Sequence, residues 1–307
     1  MQRPNTYLLG GLALIPIALF LTTGCGGSKK ASVPATTAAT TATTATTGAN
    51  SKIAAEVPAK VKSKGTLTVA ADASYAPNEF IGTNGHTVEG MDADLAQALA
   101  GVTGLKANVV NATFDTIIPG LASGKYDLGM SSFTDTKARE KVVDFVTYFS
   151  AGTSFYVKAT GGPAISTLSD LCGHTVAAEK GTTQATDATA QSAKCKTAGK
   201  PGVKVSVFPD QNSANLAISS GRAQVGMADS PVAAYIVKQS NGKFKLSGSA
   251  YGTAPYGIAI PKGNGMAKPI LDALTMLISN GIYTSILTKW GIQAGAITNP
   301  KINGAIS

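Results

Sequence analysis

The chain has 307 residues, 44% of them hydrophobic, with 26 basic residues against 17 acidic. The net charge of +9 is spread along the chain without a dense Lys/Arg block. That pattern argues against the clustered basic face of a nucleic-acid binder and leaves solubility and attraction to an anionic envelope surface. With two histidines, His86 and His174, and no CxxC spacing, little is left for a metal site, and no metal or cofactor is expected.

The N-terminus reads as a targeting segment. Arg3 and the amino terminus precede an apolar run over 8–21 that is of signal-peptide length and too short to span a bilayer comfortably. Thr22-Thr23-Gly24-Cys25 follows, small residues directly before a cysteine, as in a lipobox. Thr22 stands where an aliphatic residue is usual, with Leu21 one place too early. The expectation is a signal peptide over 1–24 and lipid attachment at Cys25, against an ordinary signal peptide with a spare cysteine. Ala, Thr, Ser and Gly dominate 28–50. Such a stretch cannot bury enough apolar surface to fold, so 25–52 reads as a tether and folding is expected from about Ile53.

About 250 residues remain, enough for two lobes. Strands are predicted over 66–70, 107–110 and 126–130. Helices are predicted over 91–102, where Met91, Leu95, Leu99 and Val102 fall at helical spacing, over 114–122 with Pro119 inside, and over 136–142 with Thr136 as cap. Further on, strands are predicted over 175–178, 203–208 and 225–227, and helices over 182–193 and 212–219 and from Pro231. A strand over 256–260 that returns to the first lobe is followed by helices over 268–279 and 283–290. Strands alternating with helices indicate an α/β fold with mostly parallel sheets. Cys172 and Cys195, an even pair in an exported chain, read as a disulfide, with two buried thiols the alternative.

One ten-residue pattern occurs twice. Ser123-Gly124-Lys125-Tyr126-Asp127-Leu128-Gly129-Met130-Ser131-Ser132 is echoed by Ser220-Gly221-Arg222-Ala223-Gln224-Val225-Gly226-Met227-Ala228-Asp229. In each copy a glycine stands where a helix C-terminus favours positive φ, and a short apolar strand follows. The tips of these strands offer Ser131 and Ser132 in one lobe and Asp229 in the other, and ligands bind beyond such carboxyl ends. After the first tip come Thr134, Thr136 and Arg139. Hydroxyls, free N–H groups and one guanidinium suit a carboxylate. Gly181-Thr182-Thr183-Gln184 is the counterpart in the second lobe, a turn at a helix N-terminus, and Asp229 would take an ammonium. Together these describe a site for an α-amino acid. On composition alone Arg139 could equally be a surface residue paired with Glu140 or Asp144.

The chain also resembles family 3 of the extracytoplasmic solute-binding proteins, the polar amino acid-binding components of ABC transporters. The likeness runs from about Gly65 to Gly291. It rests on Gly65-Thr66-Leu67-Thr68-Val69 with Asp72, on Tyr75-Ala76-Pro77, on Gly90-Met91-Asp92-Ala93-Asp94-Leu95 and on the segment from Phe114 to Leu121. Gly124-Lys125-Tyr126-Asp127, Ser131 to Arg139, Val143-Asp144-Phe145, Gly181-Thr182-Thr183 and Lys289-Trp290-Gly291 complete it. The resemblance implies a type II two-lobed fold, with lobe one over 53–156 and 254–307, lobe two over 157–253, and crossings near Phe155-Tyr156-Val157 and Tyr251-Gly252-Thr253. It implies that Arg139, helped by Thr183, binds the ligand carboxylate. It places Asp229 on the ammonium with Ser132 and Thr134 as further partners, Tyr75 and Phe114 around the side chain, and Asp72 at the far polar end.

Asn78 and Glu79 depart from a usual Pro-Phe pattern, Asn78 removing an apolar wall and Glu79 either facing the ligand or, as the preferred expectation, standing in solvent. Gln224 replaces a common Asp in a structural position. The implied partners are a free amino acid, a membrane permease and, through the lipid, the cell membrane; a monomer is expected. The implied action is a clamp that closes on its ligand. An exported cyclohexadienyl or arogenate dehydratase on the same fold is the enzymatic alternative, although no catalytic motif is found.

Overall fold

The computed structural model describes residues 48–306. The signal segment, Cys25 and most of the tether lie outside the described residues. Folding begins slightly earlier than expected. Asn50 caps helix α1 (Ser51–Glu56) by accepting from the Lys52 and Ile53 amides at 3.1 and 3.2 Å, and its own N–H donates to Val102 O at 2.9 Å. Residues 51 and 52 are therefore helix rather than tether. The short helix α2 (Ala59–Lys62) follows.

The first lobe is built from β1 (Thr66–Ala71), β5 (Lys106–Asn111) and β6 (Leu128–Gly129), all parallel. A small antiparallel sheet of β2 (Ser74–Tyr75), β3 (Glu79–Ile81) and β4 (Val88–Glu89) lies beyond β1 in sequence. Helices α3 (Met91–Val102), α4 (Phe114–Ala122) and α5 (Lys137–Glu140) separate these strands. The helical spacing in α3 is decisive: Met91, Leu95, Leu99 and Val102 are all 1% exposed or less and form the heart of the larger core. Each such side chain contributes about 1.5–3 kcal/mol by leaving water.

The second lobe repeats the plan with β8 (Thr175–Glu179), β9 (Lys204–Phe208) and β10 (Val225–Asp229), again parallel, interleaved with α6 (Thr183–Thr197), α7 (Gln211–Ser219) and α8 (Ser230–Gln239). Pro231 stands in the first turn of α8, where its missing N–H costs nothing. The chain ends with α9 (Ala267–Ser279), α10 (Ile282–Trp290) and an extended tail.

Two long antiparallel strands, β7 (Val143–Lys158) and β11 (Phe244–Pro261), join the lobes. Neither is among the predicted elements in full. They run through the order β5-β1-β6-β11-β7-β10-β8-β9, so each lobe's strands attach to a different stretch of the same pair. Thr153 to Val157 of β7 pair with β10 of the second lobe, whereas Ala151 faces Ala254. Pairing with the second lobe thus begins at Thr153, and the β7–β11 register shifts between Ser247 and Tyr251 and again between Tyr251 and Ala254. Broken pairing at the crossing gives the strands freedom to bend there.

Cys172 and Cys195 lie with Cα atoms 5.6 Å apart, where the segment before β8 meets α6.

Candidate functional site

The two echoed segments are the same physical unit. Ser123 N–H donates to Pro119 O and Ser220 N–H to Leu216 O, both at 3.0 Å. Gly124 and Gly221 both have φ of 76°, which a residue with a Cβ adopts only at a cost. Three residues further on, Asp127 Oδ2 accepts from Thr68 N–H at 2.9 Å, and Gln224 Oε1 accepts from Thr175 N–H at 3.0 Å. An amide oxygen serves as well as a carboxylate, so Gln224 is structural. This pairing equates Thr68 with Thr175, hence Asp72 with Glu179, and Ser132 with Asp229. Duplicated topology therefore aims four polar residues at one cleft, each from the carboxyl end of a strand.

All eight sequence-predicted site residues, Asp72, Tyr75, Phe114, Ser132, Thr134, Arg139, Thr183 and Asp229, line one cleft between the lobes. Ser131, Glu79, Glu179, Thr182 and Gln184 complete its wall. The lobes touch around it. Asp229 N–H donates to Tyr75 Oη at 2.8 Å, Gln211 N–H to Ser74 Oγ at 3.0 Å, and Lys180 pairs with Asp115 at 2.8 Å. Gly181 has φ of 81°, and a Cβ there would meet Asp115 Cβ at 2.9 Å, so only glycine permits this closeness.

Arg139 is half-buried. Its Nη1 donates to Thr134 O at 2.8 Å and its Nη2 crosses the cleft to Gly181 O at 3.0 Å. The guanidinium stands 5.4 Å from the ring centres of both Phe114 and Phe133, which stack on one another at 4.5 Å. Burial lowers its pKa to about 10, against the pull of Asp229 and Asp135, so it stays charged. Neither Glu140 nor Asp144 takes it: Lys137 pairs with Glu140 and Lys262 with Asp144.

Asp229 Oδ1 accepts from Gln184 Nε2 at 2.7 Å. Burial outweighs this bond and the nearby Arg139, raising its pKa to about 6. Asp72 Oδ2 accepts from Phe114 N–H at 2.9 Å and Oδ1 from Ser74 Oγ at 2.6 Å, yet burial raises its pKa as well. Across the cleft, Glu179 is pushed up to about 10, by burial first and then by the charge and hydrogen bonding of Asp72. Glu179 Oε1 is buried and has no hydrogen-bond partner.

Glu79 corrects an expectation. It is fully buried, not solvated, and accepts from Ser131 Oγ at 3.1 Å and Ser132 Oγ at 3.2 Å. Burial, then the adjacent Asp92, holds its pKa well above the usual carboxylate range. Asn78, also fully buried, donates to Ser132 Oγ at 2.9 Å. Ser132 itself has φ of 51° and donates its N–H to Asp92 Oδ2 at 2.9 Å. Glu179 was absent from the sequence-derived site, and Thr182 and Gln184 entered it only as parts of the Gly181 turn. The duplication carries the signal for Glu179, because the offset that places Asp72 after Thr68 places Glu179 after Thr175. Among the described residues no group of three His, Cys, Asp or Glu side chains is arranged to hold a metal ion.

The model of the bacterial extracellular solute-binding proteins, family 3, matches residues 67–293. The chain belongs to this family. Family 3 membership agrees with the two lobes, the paired crossings and the cleft at the strand ends. The chain is 33% identical over 253 residues to the arginine-binding protein ArgT of Corynebacterium glutamicum, covering 82% of this chain and 83% of that protein. Among solved structures, an ancestral arginine-binding protein bound to arginine is 38% identical with a TM-score of 0.66, over 74% of this chain and 98% of that one. An ancestral amino acid-binding protein described as a precursor of cyclohexadienyl dehydratase is 34% identical with a TM-score of 0.65, over 75% and 97%.

Proposed function

We propose that this chain is the binding component of an ABC importer and that its ligand is L-arginine or a closely similar cationic amino acid. One observation carries the choice: the cavity wall holds four carboxyls, Asp72, Glu79, Glu179 and Asp229, and one guanidinium, Arg139. A neutral zwitterion engages one acid and one base. The surplus acids, with Asp72 facing Glu179, suit a second positive charge. In this reading Arg139 takes the carboxylate bidentately with Thr183 nearby, and Asp229 takes the ammonium with Ser132 and Thr134 beside it. Tyr75 and Phe114 flank the aliphatic chain, and Asp72 with Glu179 takes the guanidinium. Ligand would draw the lobes together and favour the closed state for the permease.

A thermal-shift titration of the purified protein with arginine, lysine, glutamine and cystine tests this. Arginine is expected to raise the melting temperature most, with a shift that grows with concentration by mass action. A larger shift with glutamine would refute the cationic assignment. The enzymatic alternative fits less well, because prephenate brings two carboxylates to a cavity with one cation and four acids. No loss of prephenate absorbance on incubation is expected.

An extracytoplasmic position follows from the family. Lipid attachment at Cys25 is supported by Thr22-Thr23-Gly24-Cys25 and the composition of the following stretch. A disulfide between Cys172 and Cys195 is supported by their closeness. Their separation of 23 residues predicts a stabilisation of about 3 kcal/mol on the chain-entropy model. Urea unfolding of the Cys172→Ser, Cys195→Ser double variant, compared with the parent, measures it.

A further inference from the structure

Arg139 sits in α5, a helix of only four residues. One turn of helix is not stable by itself, since fixing its first residues costs more than one hydrogen bond returns. Something outside the turn must hold it. The C-terminal tail does this through a row of hydrogen bonds and with little apolar burial: Lys301, Ile302 and Ile306 are exposed, and Asn303 to Ala305 are half-buried. Thr147 N–H donates to Lys301 O and Lys301 N–H to Thr147 Oγ1, both at 2.8 Å. Asn303 N–H donates to Phe145 O at 2.9 Å, while Phe145 N–H donates to Asn303 Oδ1 at 2.8 Å. Asn303 adopts φ of 53°, which turns the chain towards α5.

The next two amides reach both flanks of the Arg139 turn. Gly304 N–H donates to Asp135 Oδ2 at 2.8 Å, and Ala305 N–H donates to Glu140 Oε1 at 3.1 Å. Asp135 is fully buried and follows Thr134, whose carbonyl holds the Arg139 guanidinium. Glu140 is the neighbour of Arg139 on the other side and closes the turn through Lys137.

We propose that the tail over 301–306 is a positioning element for the ligand-carboxylate site: by pinning Asp135 and Glu140 it fixes the orientation of Thr134 and Arg139. The inference rests on the assignment of Arg139 to the ligand carboxylate. Asp135, Gly304 and Ala305 act through Arg139 and need not touch the ligand.

The test compares L-arginine with L-argininamide, which keeps the guanidinium and ammonium but lacks the carboxylate, by calorimetric titration of the full chain and of a chain ending at Pro300. The shortened chain is expected to bind arginine about tenfold more weakly, the loss of one to two hydrogen bonds' worth of positioning, and argininamide within about twofold of the full chain. Asp135→Ala in the full chain should reproduce this pattern and add nothing in the shortened chain, because both changes cut one link. Asp135→Asn keeps an acceptor for Gly304 and should restore arginine binding. If shortening destabilises the lobe, Asn303→Gly, which preserves the positive φ, and Asp135→Ala carry the same comparison. Unchanged arginine affinity, or equal losses for both ligands, overturns the positioning role. A full chain that binds arginine and argininamide equally overturns instead the carboxylate assignment beneath it.

Discussion

Arg139→Ala is expected to weaken arginine binding by at least about a hundredfold, the usual cost of removing one partner from a desolvated, hydrogen-bonded charge pair. Among the described residues the guanidinium is the only cation on the cavity wall. Without it the ligand carboxylate would be buried among acids with no counter-charge. Arg139→Lys should recover little, since a point charge cannot reproduce the bidentate fork. The fold should survive both changes. Arg139 contacts the Thr134 and Gly181 carbonyls and two aromatic faces, and belongs to none of the apolar cores. Calorimetry measures the affinity and circular dichroism the fold. Arginine affinity within threefold of the parent would end the assignment of Arg139 to the ligand.

The second large effect concerns Glu179. Glu179→Gln should lower arginine affinity by about tenfold or more while leaving glutamine affinity unchanged or improved, because the acid facing Asp72 is then neutral. The same residue sets a pH dependence. In the cleft Glu179 has a pKa of about 10 against an ordinary 4.5, and Asp229 about 6 against 3.8, each raised chiefly by burial. Folded-state values above the unfolded ones mean that the fold binds more protons than the unfolded chain. Its stability from these groups is full below the ordinary values and is lost as pH rises towards the folded-state values. A bound guanidinium and ammonium replace those protons, so binding releases them and affinity rises with pH by at most about tenfold per unit for each proton released. Between pH 5 and 8 the melting-temperature increment from arginine should therefore grow. Titrations in two buffers of different ionisation enthalpy should show proton release that falls in Glu179→Gln. A flat pH profile, or proton uptake, would contradict this account.

Much of the site was legible because its determinants are local. Gly124 and Gly221 mark helix ends by backbone sterics alone, and the residues eight positions beyond each glycine follow from the short strand between. Ser132 and Asp229 could be placed that way, whereas Arg139 needed the family resemblance. Glu79 could not. Carboxylates are seldom buried, so solvent was the reasonable expectation. Its burial depends on Ser131, Ser132 and Asp92, which are distant in sequence and meet it only in the folded lobe. The acid pair of Asp72 and Glu179 spans more than a hundred residues and needs both lobes in contact. The long strand β7, and β11 outside its predicted 256–260 stretch, were missed for a related reason. Both run through one sheet shared by the two lobes, and Gly152 and Gly252 interrupt a pattern that otherwise reads as extended.

The sequence by itself determined the duplicated α/β plan and the strand ends that open on the cleft. Short-range sterics and hydrophobic spacing suffice for these. Only the tertiary structure decided which acids are buried, that Arg139 turns into the cleft rather than towards Glu140 or Asp144, and that the tail amides reach both flanks of the Arg139 turn. Desolvation and charge coupling depend on neighbours brought together from afar, and no local pattern records them.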